Sequence, residues 1–145
     1  HLTDIMQFIL DEFPEPDDLR IHGLALAGSA ERNMDEVFVP LSEVKDEINN
    51  AVDIGRKNVD NFHIMHIPPC ILGRKELVKY STIYETEKVD LHEKGKEKRS
   101  LGSEIRNKVG KSEECKRCVI SDQCLGVWHS YGEKTNWREL EPFTE

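Results

Sequence analysis

Apolar positions near the start of the chain recur at helical spacing. Ile5, Phe8, Ile9 and Phe13 predict one face of an amphipathic helix, which Pro14 and Pro16 stop. Over residues 19–27 the pattern becomes strand-like, and Leu24, Ala25, Leu26 and Ala27 are consecutively apolar. A run of that kind suits a parallel strand covered on both faces. Gly28 and Ser29 end it. Pro40, Leu41 and Ser42 open a second predicted helix, with Ser42 as its N-cap. Val44, Ile48, Ala51, Val52 and Gly55 share one face of it, and Gly55 or Asn58 is placed to close it. Residues 62–67 predict a second short strand, terminated by Pro68 and Pro69 because proline cannot extend a ladder.

Helix, strand, helix, strand is the βαβ grammar of a parallel sheet with covering helices, so an α/β fold is expected. Two strands do not make a stable parallel sheet alone. The chain also opens at His1, directly in an amphipathic segment. Further residues are therefore expected upstream. Residues 74–114 have a different texture. A short strand or hairpin is expected over residues 80–89, anchored by Ile83 and Val89, and a charged loop over residues 94–99. Helix or irregular structure follows around Ile105. From Cys115 onward the segment is short and aromatic, with Trp128, Tyr131, Trp137 and Phe143. It has too little apolar surface to fold by burial alone, and a bound metal would supply the missing stabilisation. Two parts are expected, residues 1–73 and residues 74–145.

Composition narrows the partners. The 145 residues carry a net charge of −8, which argues against general nucleic-acid binding. No apolar run approaches the roughly 18 residues of a membrane span. A soluble, cytoplasmic protein with no membrane partner is expected. Without a secretion leader, clustered cysteines point to metal or redox chemistry rather than to disulfides.

The chain has four cysteines, Cys70, Cys115, Cys118 and Cys124. Cys115 and Cys118 form a C-x2-C knuckle whose tight turn aims two thiolates at one metal. Cys124 follows five residues later, with Gly126 two residues on to allow close backbone approach. Cys70 stands after a strand and a Pro-Pro stop, a rigid place for a fourth ligand, although it also reads as a buried small residue. Lys116 and Arg117 are expected to favour thiolate over thiol. Spacing alone leaves two centres open: a structural zinc held by four thiolates, and an iron–sulfur cluster. A redox dithiol of Cys115 and Cys118 is a third possibility, which leaves Cys70 and Cys124 unexplained.

Other residues were weighed as ligands or linings. His63 and His66 face opposite sides of the second strand, and His66 is either a metal ligand or a polar lining. His129 is a candidate substitute for a cysteine, and His22 a histidine satisfied by hydrogen bonds. Trp128 and Tyr131 are expected to cover the metal centre. Asp11, Glu12, Glu15, Asp17 and Asp18 form an acidic turn with no assignable acid–base pair. The turn at Ala27, Gly28 and Ser29 lies at a strand end, where such sheets bind ligands, but it also reads as an ordinary turn.

The run Ile67-Pro68-Pro69-Cys70-Ile71-Leu72-Gly73, the spacing Cys115-x2-Cys118-x5-Cys124, then Gly126-Val127-Trp128 and Tyr131, with Glu139, Leu140 and Pro142 near the end, resembles the C-terminal part of radical S-adenosylmethionine proteins. The likeness is to members with a cysteine-rich extension of the SPASM or twitch type. It covers the chain from about Leu19 on and is weakest between Arg74 and Glu114. It implies the last strands and helices of a partial (β/α)6 barrel, followed by an irregular extension holding an auxiliary 4Fe–4S cluster on the four cysteines. The family's C-x3-C-x2-C loop is absent, because no cysteine precedes Cys70. The fragment alone is therefore not expected to be active. The resemblance implies that the full protein uses S-adenosylmethionine and a second 4Fe–4S cluster. It further implies a peptide or small-molecule substrate and an electron donor such as ferredoxin or flavodoxin. Zinc in a protein- or nucleic-acid-binding module, without catalysis, is the rival.

Overall fold

The computed structural model describes residues 1–81, 90–91, 99–100 and 105–145. The strand expected over residues 80–89 and the loop expected over residues 94–99 lie largely outside them. The described chain mixes helices with small two-stranded sheets. Helix α1 (Leu2–Glu12) leads to strand β1 (Leu19–His22). Two single-turn helices follow, α2 (Ser29–Arg32) and α3 (Met34–Val37). Helix α4 (Lys45–Asn58) then crosses to strand β2 (Phe62–Met65).

Strands β1 and β2 pair in parallel, with Leu19 opposite Phe62 and His22 opposite Met65. The expected βαβ unit is thus present. A parallel bridge from Ile64 to Ser81 extends the sheet on the β2 side. What the described residues show is this unit, mixed α/β with small sheets.

Helix α1 forms where the pattern predicts it, but on a different face. Met6 is buried, with Leu2 and Leu10 partly buried against the same core. Ile5, Phe8 and Phe13 are more than half exposed. Docking against α4 selects the Leu2–Met6–Leu10 stripe, which the larger apolar residues obscure in the sequence. Strand β1 ends at His22, short of the expected residue 27. Gly23 still donates its N–H to the Met65 carbonyl at 2.8 Å, after which the backbone leaves the ladder. Leu24 then turns outward while Leu26 is buried.

Helix α4 buries Ile48, Ala51, Val52 and Gly55, the face its spacing predicts. Ser42 does not cap it. The helix begins three residues later, and the Ser42 hydroxyl instead donates to Glu139 Oε1. Gly55 does not close the helix either. It lies within α4, where a Cβ would stand 2.2 Å from the Phe62 ring. Missing bulk there lets helix and strand approach. Strand β2 stops at Met65 because His66 adopts a φ of +58°, before either proline is reached. Pro69 opens the next helical turn, α5 (Pro69–Leu72).

A 3-10 helix (Lys75–Tyr80) follows, then the antiparallel pair β3 (Asp90–Leu91) and β4 (Arg99–Ser100). Ile105 and Arg106 are helical and pass through a turn into β5 (Val109–Gly110). Strand β6 (Val127–Trp128) pairs with β5 in antiparallel fashion and runs into helix α6 (His129–Lys134). Two cores result. One joins α1, α4 and β2 through Met6, Val52, Phe62 and Leu77. The second joins α5 to the C-terminal segment through Ile71, Val127, Tyr131 and Leu140, with Cys70 and Cys115 packed against it. No helix among the described residues is long and apolar enough to cross a membrane.

Gly55→Ala gains helix propensity but drives a methyl group into the Phe62 ring. Overpacking of this kind costs about 1–3 kcal/mol. The urea midpoint should fall accordingly, and an unchanged or raised midpoint would show that the helix and strand are not in close contact.

Candidate metal centre

Three segments deliver the four cysteines. Cys70 sits in α5, the turn that Pro68 and Pro69 set. Cys115 lies in a 3-10 helix (Glu113–Arg117), and Cys118 follows it, its N–H donating to the Cys115 carbonyl at 3.1 Å. A second 3-10 turn (Ser121–Gln123) precedes Cys124, which donates its N–H to the Ser121 carbonyl at 3.2 Å. The knuckle is therefore two tight turns in series, each ending on a thiol.

All four thiols line one cavity. Pro68, Lys111, Ile120, Ser121, Gly126, Leu140 and Pro142 complete its wall. Cys70, some 45 residues before the knuckle in sequence, is thus brought beside it. All four cysteines are free thiols. The cavity measures about 20 Å³, which is space for about one water molecule. Among the described residues, no group of three or more His, Cys, Asp or Glu is arranged to hold a single metal ion. In chemistry, four thiols on one cavity make a donor set that fits a thiolate-held centre.

Electrostatics around the thiols are set by burial. Burial pushes the Cys70 thiol up to about 12, and the neighbouring Cys124 and Cys115 add to the shift. Burial also raises Cys124, against the opposing pull of a hydrogen bond from the Gly126 N–H, 3.4 Å from Cys124 Sγ, and of Lys111. Cys115 Sγ lies 3.4 Å from the Ser112 hydroxyl. Thiols held this way bind a cation with release of their protons.

The expected cations are not the ones at the cavity. Lys116 points out to Glu113, and neither it nor Arg117 is on the lining. Lys111 takes that place, with its Nζ 2.5 Å from the Ser121 carbonyl. Its position follows from the β5–β6 pairing, which no local pattern in the sequence announces. Gly126 has a φ of +82°, and a Cβ there would stand 1.9 Å from the Gly110 carbonyl. The close approach it permits is therefore to β5, at a point where Gly126 also lines the cysteine cavity.

The remaining candidates disperse. His129 packs edge-on against Trp137 and is absent from the cysteine cavity. His63 Nε2 lies 3.7 Å from Asp18 Oδ2, and Asp18 also accepts two hydrogen bonds from Arg20, at 2.6 and 2.8 Å. His22 Nδ1 is 2.9 Å from the Gly23 carbonyl, a hydrogen-bond contact of the kind expected for it. His66 lines a small cavity on which Cys124 also lies. It is 8% exposed, its ring lies 4.0 Å from that of Trp128 and 4.8 Å from that of His22, and neither ring nitrogen has a hydrogen-bond partner. Trp128 covers His66, while Tyr131 packs in the core beside Cys70 and Cys115. The Tyr131 hydroxyl accepts from the Leu41 N–H at 2.7 Å and donates to Glu139.

Comparison with known proteins adds no relative. No protein-family model, curated protein or solved structure matches the chain.

His66 carries a pH dependence. Burial, then the neighbouring His22, lowers its pKa to about 4, against 6.5 for an unperturbed imidazole. Between those values the unfolded chain binds the proton and the folded chain does not, so stability falls on acidification. The loss should begin near pH 6.5 and reach up to about 3 kcal/mol by pH 4. His66→Phe should flatten that limb of a denaturation series. A wild-type profile already flat from pH 7 to 4 would contradict the burial of a neutral imidazole.

Proposed function

We propose that the chain is the C-terminal part of a radical S-adenosylmethionine enzyme, with Cys70, Cys115, Cys118 and Cys124 holding an auxiliary 4Fe–4S cluster. The convergence of all four thiols on one cavity carries this reading. The parallel βαβ unit is the repeating element of the barrel proposed to precede the extension. Among the described residues β1 has no strand on its other edge, which supports membership of this unit in a larger sheet.

In the complete protein, the reading assigns S-adenosylmethionine cleavage to a second cluster on a C-x3-C-x2-C loop carried elsewhere. An electron donor such as ferredoxin or flavodoxin would supply it, and the substrate would be a peptide or a small molecule. An auxiliary cluster there would bind substrate, pass electrons or brace the tail. This chain's own residues do the rest. The thiolates hold the cluster, the Gly126 N–H hydrogen-bonds the Cys124 sulfur, and Lys111 offsets negative charge. The small cavity favours a second reading, a structural zinc site in a non-catalytic binding module, because a space of about 20 Å³ suits one ion better than a cluster.

Anaerobic reconstitution with iron and sulfide separates the two. The first reading expects a brown protein with broad visible absorption and about four iron atoms per chain. Cys70→Ala, Cys115→Ala, Cys118→Ala and Cys124→Ala should each lose most of that iron. A colourless protein retaining one zinc would establish the second reading. Full iron loading in Cys70→Ala would remove that residue from the ligand set, and failure to hold either metal would defeat both readings.

A further inference from the structure

A second cavity, of about 370 Å³, runs along β1 beside α1 and past the ends of β1 and β2, where Gly23, His66 and Ile67 line it. No cysteine lines it, so it stands apart from the centre described above. Its walls are apolar, with Met6, Leu26, Phe38, Ile48 and Ile67 among them. That size and lining match sites for small organic ligands, which parallel sheets place beyond the carboxyl ends of their strands.

His66 makes the cavity more than a packing defect. A buried polar group without a partner is costly, and native structures rarely retain one without a role. Both His66 ring nitrogens are buried and, among the described residues, without a hydrogen-bond partner, on a residue whose backbone is held at positive φ. The rings of His22 and Trp128 flank it. Trp128 is tethered by an Nε1 contact of 3.4 Å to the Gly23 carbonyl, longer than an ordinary hydrogen bond. Swinging that indole aside exposes the imidazole to the cavity. Arg20 is the one Lys, Arg, Asp or Glu side chain on the lining, and Asp18 pairs with it. A charged ligand would therefore find no counter-charge left for it.

We propose that this cavity binds a small uncharged organic molecule with an apolar body and one hydrogen-bonding group, and that His66 is the residue that reads that group. A neutral imidazole offers one donor and one acceptor, so a phenolic hydroxyl or a primary amide meets it. Trp128 is the cover that the ligand displaces.

Two probes of nearly equal size, 4-methylphenol and toluene, test this on the full chain. Binding is followed by the ¹⁵N resonances of the imidazole rings and by the indole N–H of Trp128. Saturable binding of 4-methylphenol should be about tenfold tighter than that of toluene, the worth of one hydrogen bond. It should shift the His66 and Trp128 signals. His66→Phe keeps the ring and should bring 4-methylphenol down to the affinity of toluene. Equal affinities in the wild type, or an undiminished preference in His66→Phe, would overturn the proposal. Should that variant fail to fold, Leu24→Trp carries the test. Leu24 lies at the cavity mouth and is half exposed, so the change spares the core. It should weaken both probes at least about tenfold, and unchanged affinities would show that neither probe enters this cavity.

Discussion

Meeting of the Cys70 turn with the Cys115–Cys124 knuckle is the constraint on which the C-terminal third depends. That segment has short helices, a two-residue strand pair and few buried side chains. Each turn in it is held by local hydrogen bonds that alone are too weak to order a chain. Direction comes from outside, because α5 offers Cys70 and Ile71 as a fixed surface against which Val127, Tyr131 and Leu140 pack. The thiols lie at the edge of the same cluster. A metal bound there would join segments that apolar contact already brings together.

A small polar network ties the halves from the other side. The Tyr131 hydroxyl accepts from the Leu41 N–H and donates a hydrogen bond to Glu139, which also accepts from Ser42. Burial and the adjoining Glu139 push the Tyr131 hydroxyl well above its ordinary value, so it stays protonated as a donor. A residue expected to cap a helix is thus spent on a contact 97 positions away. Local capping rules miss this because they weigh only neighbours in sequence.

Much of the fold was legible. The βαβ order, the parallel pairing and the buried face of α4 follow from periodicity and from continuous apolar runs. The face of α1 did not, because Phe8 and Phe13 outweigh Met6 and Leu10 in any count of hydrophobicity, yet docking geometry exposes them. Strand ends were also misplaced. The backbone leaves the ladder after Gly23, and His66 ends β2 with a positive φ, which on a histidine leaves no trace in composition. In the candidate site, the gathering of four cysteines was legible from their spacing and from the Pro-Pro turn. The cation beside them was not. Lys111 reaches the cavity through strand pairing, whereas adjacency in sequence pointed to Lys116 and Arg117.

Only Leu125, Gly126 and Val127 separate Cys124, at the cysteine cavity, from Trp128, which covers His66 at the other. Gly126 is pinned against the Gly110 carbonyl and Val127 is fully buried, so this link has little slack. It behaves as a short rigid lever with a thiol at one tip and an indole at the other. Any displacement of the knuckle is therefore felt at the ring that closes the apolar chamber, and the two chambers share one moving part.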